Sequence, residues 1–232
     1  MRLTAALQAD IRFQFRYFLY YAYIIISFLY ILLLHWIPNH LTEKTAMFLL
    51  FSDCSFLGAF FIGGIVLLEK EQGIYDHLFI TPMKLNEFIW AKVFSLGVLS
   101  LASSLFIFLL SFGLSMKMIP LLIGIAFNSI FASLLGLIFA ARVKSINQYL
   151  MISPLFVTIF FLPILSSLHL FHSPLFYLLP SQAGLLLMEG AFTSLSKLEW
   201  LYAIGTLLLY IGIAYKLASH SFYKHIILKI GG

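Results

Sequence analysis

The sequence has one densely charged stretch, residues 69–87, in a chain that is otherwise strongly apolar. Gly73 can end the helix that precedes it, and Pro82 disfavours a helical conformation at Thr81. Residues 74–79 are therefore predicted to form about two turns of helix between two rigid turns. Such a helix suits binding to a groove on a soluble partner; the alternative is an ordinary solvated loop, which often carries similar charges. Its predicted contact residues are the apolar Ile74, Leu78 and Phe79 and, around them, Glu71, Asp76 and His77.

Asp53 is a second candidate, because it lies inside an apolar segment. An ionised carboxylate is costly there unless it is paired, hydrated or protonated. We place it about seven residues, or roughly 10 Å, from the outer end of that segment. There it would face a water-accessible cavity between this chain and a second chain of the same kind and attract a cationic or zwitterionic molecule; the alternative is an acid near the outer headgroups that water or a serine satisfies. In the preceding apolar segment, Tyr17, Tyr21 and Phe28 could stack on a flat ring, or they could simply meet lipid.

The sequence lacks the residues needed for ATP hydrolysis, for a metal site or for nucleophilic catalysis. No Gly-rich loop ends in Gly-Lys-Ser/Thr, so the chain has no phosphate-binding loop for ATP; Lys144 and Ser145 follow Val143, where glycine is required. His169 and His172 have the spacing of metal ligands but no third ligand nearby, and no Ser/His/Asp arrangement is present. We therefore expect no metal, no cofactor and no catalytic residue in this chain.

The composition requires a bilayer as the solvent. With 62% hydrophobic and 10% charged residues, the chain cannot leave so much apolar surface in water, and each helix that spans the hydrocarbon core needs about 20 apolar residues. The sequence predicts one all-α polytopic membrane domain, 1–232, with six transmembrane helices. The predicted spans are 17–36, 46–68, 93–115, 119–141, 149–171 and 200–218.

The basic residues indicate the orientation of these spans. With a cytoplasmic N-terminus, the 14 Lys and Arg residues fall on the inner side except for Lys44, Lys117 and Lys197, in agreement with the positive-inside rule. Both termini and the charged stretch are then cytoplasmic. Because the basic residues lie at the ends of spans rather than on one stripe, nucleic-acid binding is not expected.

Two shorter helices are predicted outside the spans. Residues 1–16 have apolar side chains at four-residue spacing beside a polar row that includes Arg12 and Arg16. This amphipathic helix would lie along the inner leaflet with its arginines towards lipid phosphates; a frayed tail is the alternative. In the outer loop, 172–199, residues 182–189 would form a re-entrant helix too short to cross the bilayer.

Small residues indicate where the spans pack against one another. Ala59 and Gly63 lie four positions apart in the second span, and a similar series runs through the fourth, which allows close approach of helices in lipid. The series in the fourth span is Ser129, Ala132, Ser133, Gly136 and Ala140.

The charged stretch and its surroundings resemble permease subunits of the second ABC exporter type. The resemblance consists of an acidic exit from the second span, a glycine, a short apolar-acidic helix, a Thr-Pro pair and a lysine that opens the third span. It covers the whole chain, and residues 10–17, 68–71 and 179–183 look most similar to permeases described as fluoroquinolone exporters. The residues that carry it in the charged stretch are Glu69, Glu71, Gly73, Leu78, Thr81, Pro82 and Lys92.

This resemblance implies an assembly. The region 69–92 would be a coupling loop that contacts a separate nucleotide-binding subunit, and that subunit would hold ATP and Mg²⁺. A second permease, either an identical copy or a sibling, would complete the membrane part. The complex would lie in the plasma membrane of a prokaryote. The residues implied in coupling are Glu69, Glu71, Gly73, Ile74, Asp76, Leu78, Phe79, Thr81 and Pro82, together with Arg12 and Arg16 on the N-terminal helix.

The same resemblance implies export of a hydrophobic or amphipathic, drug-like molecule, with Asp53, Tyr17, Tyr21 and Phe28 as candidates for its path. The nearest alternative is an exporter of this architecture for haem, lipid, polysaccharide or peptide. A different alternative is a secondary transporter, which would use Asp53 for proton coupling and would need no ATPase.

Overall fold

All regular structure in the described part of the chain is helical, which confirms the predicted all-α class. The computed structural model describes residues 2–75, 83–113, 117–168 and 170–228. Its helices, in chain order, are α1 (Arg2–Arg16), α2 (Leu19–Trp36), α3 (Asn39–Ser52), α4 (Gly58–Glu71), α5 (Leu85–Phe112), α6 (Met118–Arg142), α7 (Ile146–Phe161), α8 (Ile164–Ser167), α9 (Pro180–Glu189) and α10 (Lys197–Phe222). Single turns of other helical types are Asp53–Leu57 and Tyr223–Ile227, which are π-helical, and Pro174–Leu178, which is 3₁₀.

Five helices in the described ranges are long and apolar enough to cross a membrane, and each corresponds to a predicted span. The second is continuous through α3, the π-helical turn and α4, so it starts earlier than predicted. The five are Leu19–Trp36, Leu41–Glu71, Leu85–Phe112, Met118–Arg142 and Lys197–Ile227.

The fifth predicted span, 149–171, is interrupted, so the expectation of one continuous helix there is wrong. α7 ends at Phe161, and the separate four-residue helix α8 follows it. The break falls at Pro163, because proline lacks the N–H that a continuing helix needs. With 16 residues, α7 alone is about 24 Å long, less than the roughly 30 Å of a bilayer core. A sixth crossing of the membrane stays a prediction.

The third and last spans begin earlier than predicted, because their caps lie further upstream. α5 starts at Leu85 rather than at position 93, and the carboxylate of Glu87 accepts a hydrogen bond from the backbone N–H of Lys84 at 2.9 Å. α10 starts at Lys197 rather than at position 200, and Ser196 Oγ accepts the backbone N–H three residues later at 3.3 Å. Both caps satisfy N–H groups that would otherwise be left unpaired.

The short outer helix is present as α9, and it begins at Pro180, where proline is preferred as the first helical residue. Most of its side chains are buried, because α9 packs against both α6 and α10. The structure therefore contains a short helix where the sequence predicted one, and its packing inside the bundle is a new observation. Its predicted position in the outer leaflet stays a prediction.

α6 is the central helix, packed against α4, α5, α9 and α10. Two of the predicted small residues, Gly63 and Gly136, lie at close contacts between helices. A Cβ on Gly136 would stand 2.6 Å from the carbonyl oxygen of Ala59, and one on Gly63 would collide with the ring of Tyr149. The hydroxyl of Tyr149 donates a hydrogen bond to that same Ala59 carbonyl oxygen at 2.6 Å, which joins α7 to α4. The prediction that Ala59, Gly63 and Gly136 lie on packing faces is confirmed.

Candidate functional site

The N-terminal helix α1 packs along α5 rather than lying free of the bundle. Ala6 and Gln14 are buried, and Asp10 lies between them on the same face. The side-chain amide of Gln14 donates to Ser95 Oγ on α5 at 2.8 Å. α1 is therefore held to the third span by its polar face. The apolar row on this helix did not predict this contact.

Three charged side chains meet in the interior of the helical bundle, where the charged stretch 69–87 begins. Lys92 Nζ of α5 lies 2.7 Å from Glu69 Oε1 of α4 and 2.9 Å from Asp10 Oδ1 of α1. Only 2% of the Lys92 side chain is exposed, and its ammonium also stands 4.8 Å from the ring centre of Phe88. Burying three charges costs free energy that their mutual hydrogen bonds must offset. This arrangement, the Asp10–Glu69–Lys92 cluster, ties three helices together at one point.

Tyr75 completes the cluster from the charged stretch itself. Its hydroxyl lies 2.9 Å from Glu69 Oε2 and 3.1 Å from the carbonyl oxygen of Val66. Its ring packs edge-on against Phe88 and Phe222, which joins it to α5 and α10. Burial, and then the negative charge of Glu69, raise the pKa of Tyr75 well above its usual value. The hydroxyl therefore stays protonated and can donate to the carboxylate.

Replacing Tyr75 with phenylalanine is expected to lower the free energy of unfolding by about 1–3 kcal/mol. The second oxygen of the buried Glu69 carboxylate would lose its donor, while the ring contacts would remain. Thermal unfolding of the detergent-solubilised chain measures this change. Tyr223→Phe is the matched control, since Tyr223 is 51% exposed. An unchanged unfolding temperature for Tyr75→Phe would show that the hydroxyl does not brace Glu69.

The helix α4 ends in a turn at Gly73, as the sequence predicted. α4 ends at Glu71, which is exposed, and Gly73 follows with a φ of 66°, a left-handed conformation that favours glycine. The side-chain amide of Gln72 donates to the hydroxyl of Tyr17, so the turn is also tied to the start of the first span. Ile74 is partly buried. The other predicted coupling residues, Asp76, Leu78, Phe79, Thr81 and Pro82, lie outside the described residues.

Further polar contacts brace the same end of the bundle. Lys70 Nζ of α4 donates to the carbonyl oxygen of Val143, just after α6, at 3.1 Å. Arg142 Nε donates to Ser221 Oγ of α10 at 3.3 Å. These contacts join the ends of α4, α6 and α10 close to the turn at Gly73. Arg12 and Arg16 are exposed on α1, in reach of lipid or of a partner.

Asp53 lies deeper in the bundle than the sequence predicted. It is fully buried at the π-helical turn, about twelve residues or roughly 18 Å from Leu41. Ser104 Oγ lies 3.5 Å from its Oδ2, and its Oδ1 has no hydrogen-bond partner among the described residues. Its side chain has no exposed surface on this chain alone, and its predicted place at a cavity between two permeases stays a prediction.

The structure does not bring the other predicted path residues to Asp53. Tyr21 and Phe28 are 55% and 59% exposed on the face of α2 that points away from the bundle. Tyr17 lies at the end of the bundle that holds the Asp10–Glu69–Lys92 cluster. Tyr23, which points inward and is 1% exposed, is the buried tyrosine of that helix. A role in a substrate path stays a prediction for all four predicted residues.

Sequence reasoning missed Asp10 and Tyr75 and treated Lys92 only as a marker of orientation and resemblance. A signal was present. Asp10 is the one acidic residue of the N-terminal helix, and Lys92 stands several residues inside the apolar helix α5, where an unpaired ammonium is costly. A lysine at such a position predicts a buried acidic partner, although the sequence does not show that Asp10 is that partner.

Within the described ranges, no three His, Cys, Asp or Glu side chains are grouped so that they could hold a metal ion. Cys54 is buried and free. His172 Nδ1 lies 2.8 Å from Ser166 Oγ, whereas its predicted neighbour His169 falls outside the described residues.

The long apolar helices and the buried charged cluster define a polytopic helical membrane protein whose N-terminal helix is anchored to its third span and, through Lys92, to its second. The model of the fluoroquinolones export permease protein family matches residues 1–230, and the chain belongs to that family. It is 26% identical over 200 residues to a fluoroquinolones export permease protein of Mycobacterium tuberculosis strain CDC 1551 / Oshkosh, over 86% of this chain and 84% of that protein. The protein of the same description from strain ATCC 25618 / H37Rv matches with the same identity and coverage.

Proposed function

We propose that this chain is the membrane-spanning subunit of an ATP-driven exporter and that a separate nucleotide-binding subunit docks on the segment 74–82. Family membership makes the chain a transport subunit of the exporter kind. The observation that supports the coupling role is the Asp10–Glu69–Lys92 cluster, because it fixes α1, α4 and α5 to one another where that segment begins. ATP and Mg²⁺ belong to the docked subunit, and the motion of that subunit reaches the spans through the cluster.

The exported molecule is proposed to be hydrophobic or amphipathic and drug-like. Both relatives are named for export of fluoroquinolones, and 26% identity leaves room for a different cargo. A second permease, identical or a sibling, is needed to enclose a path for it. The chain then lies in a prokaryotic plasma membrane with both termini in the cytoplasm, as the distribution of Lys and Arg indicates.

Replacement of residues 76–82 by a Gly/Ser segment of equal length tests the proposal. We expect the tagged wild-type chain to co-purify with an ATPase from its host and to support vanadate-sensitive transport. The variant should lose both while it keeps its solubilised size and unfolding temperature. The control is a Gly/Ser replacement of equal length in residues 114–116, which follow α5 in the sequence.

A proton-coupled secondary transporter is the second candidate, and the observation that favours it is the buried carboxylate of Asp53. The two candidates differ in energy source. Transport that follows a pH gradient without nucleotide, and that survives replacement of 76–82, would replace the first proposal with the second.

A further inference from the structure

The end of the bundle opposite the Asp10–Glu69–Lys92 cluster contains a cleft of about 440 Å³. Glu43 marks its position on the helix Leu41–Glu71, about 39 Å along the axis from Glu69. The cleft lies between α3, the segment around His172 and helix α9. Its volume falls in the range of small-molecule sites. We call it the outer cleft, after the predicted orientation of the chain.

Two carboxylates from different elements line the outer cleft. Glu43 is on α3 and is exposed, whereas Glu189 is on α9 and is partly buried. Over the described ranges, neither carboxylate lies within 4.0 Å of a Lys, Arg or His nitrogen. Their negative charge is therefore directed at whatever enters the cleft, which favours a cation.

A buried hydrogen-bond acceptor also lines the cleft. Gln182, at the start of α9, is 7% exposed, and its Oε1 has no partner in the described part of the chain. A buried amide oxygen without a donor costs free energy. This oxygen has almost no accessible surface, so a rotation of the Gln182 side chain would be needed to present it to the N–H groups of a ligand; an apolar ligand or an anion would not satisfy it.

The other residues that line the outer cleft indicate which kind of cation it can bind. Phe192 and Tyr177 contribute aromatic faces, and Leu186 contributes an apolar one. Aromatic rings attract organic cations through their faces, so a purely inorganic ion would leave most of the cleft unused. Lys44 also lines the cleft and can meet an acidic group on the same ligand.

We propose that the outer cleft binds the protonated amine of an amphipathic organic cation or zwitterion, with Glu43, Glu189 and Gln182 as acceptors of its N–H groups. The inference deepens the proposed export function, because it names the chemical class of molecule that leaves the chain at this end. The same ammonium chemistry is offered by an exported amine and by the headgroup of phosphatidylethanolamine.

Binding of dansylcadaverine to the full-length chain in phosphatidylglycerol nanodiscs tests the proposal. This probe carries a fluorescent aromatic ring and a primary amine, and its N-acetyl derivative lacks the positive charge. We expect the amine to bind at least about tenfold more tightly than the acetylated probe. Each of Glu43→Gln and Glu189→Gln should weaken amine binding about three- to fivefold, and the double variant about tenfold, as for partly exposed charge pairs.

Gln182→Leu should weaken the amine by a similar factor without affecting the acetylated probe. Glu199→Gln is the matched control, because Glu199 lies outside the cleft and glutamine can still accept the backbone N–H of Ser196. Equal affinity of both probes for the wild-type chain, or unchanged amine binding in the double variant, would overturn the proposal.

A lipid arm separates the two sources of the ammonium group. If phosphatidylethanolamine in the nanodisc weakens probe binding to the wild-type chain but not to the double variant, the headgroup occupies the cleft; if it has no effect, an exported amine is the ligand. Either result supports the same site. Amine binding needs no ATPase, so its failure would leave the proposed export function to be judged by the replacement of 76–82.

Discussion

Replacing Lys92 with methionine is expected to lower the free energy of unfolding by about 3–5 kcal/mol and to remove most of the folded chain from the membrane. Methionine fills a similar volume but leaves the carboxylates of Asp10 and Glu69 buried without the ammonium that stands 2.9 and 2.7 Å from them. Removal of one partner from a buried ion pair costs this much, because the remaining charge stays uncompensated. Size-exclusion chromatography of a fluorescent fusion and thermal unfolding measure the loss.

Two further variants separate stability from coupling. Lys84→Met is the control, since Lys84 is exposed and its loss should cost less than about 0.5 kcal/mol. The triple variant Asp10→Asn, Glu69→Gln, Lys92→Met should recover most of the stability, because an uncharged cluster of similar volume is often as stable as a buried ion pair. We expect this variant to fold but to transport poorly if the charges hold α1 in register with α4 and α5. A Lys92→Met chain as stable as wild type would show that the cluster does not hold the helices together.

The spans could be predicted because hydrocarbon thickness and backbone hydrogen bonding leave little choice. Five long apolar helices stand within a few residues of their predicted positions at most of their ends. The exceptions are local. Capping by Glu87 starts α5 earlier than hydropathy indicated, and Pro163 divides the fifth segment although that segment is rich in apolar residues. Hydropathy is averaged over a window of residues, so it does not predict a helix break caused by one missing N–H or a helix start fixed by one capping residue.

The site was harder to predict, because its decisive contacts join positions far apart in sequence. Glu69 and Gly73 follow from local pattern. The pairing of Asp10 with Lys92 does not follow from local pattern, since 82 positions separate the two residues and their contact depends on how α1 crosses α5. The depth of Asp53 was underestimated for a related reason: the helix before it starts at Asn39, among polar residues that a hydropathy window rejects. Local periodicity cannot supply the packing of one helix on another.

Replacing Gly136 with valine is expected to lower the free energy of unfolding by about 3 kcal/mol or more. A Cβ at this position would lie 2.6 Å from the carbonyl oxygen and 3.1 Å from the Cα of Ala59. Both atoms belong to the backbone of α4, so no side-chain rotation can relieve the contact and the two helices must separate. Separation would also disturb the hydrogen bond from Tyr149 to that carbonyl oxygen, which stands at 2.6 Å. Denaturant or thermal unfolding of the solubilised chain measures the change.

Gly64→Val is the matched control, because Gly64 lies on the same helix as Ala59 and a Cβ there meets nothing within 4 Å. Valine costs a helix no more than glycine does, so this variant should stay within about 1 kcal/mol of wild type. Equal losses for the two variants would mean that the α4–α6 seam is not closely packed in the membrane. A large loss for Gly136→Val alone would instead show that backbone contact between these two helices fixes their separation.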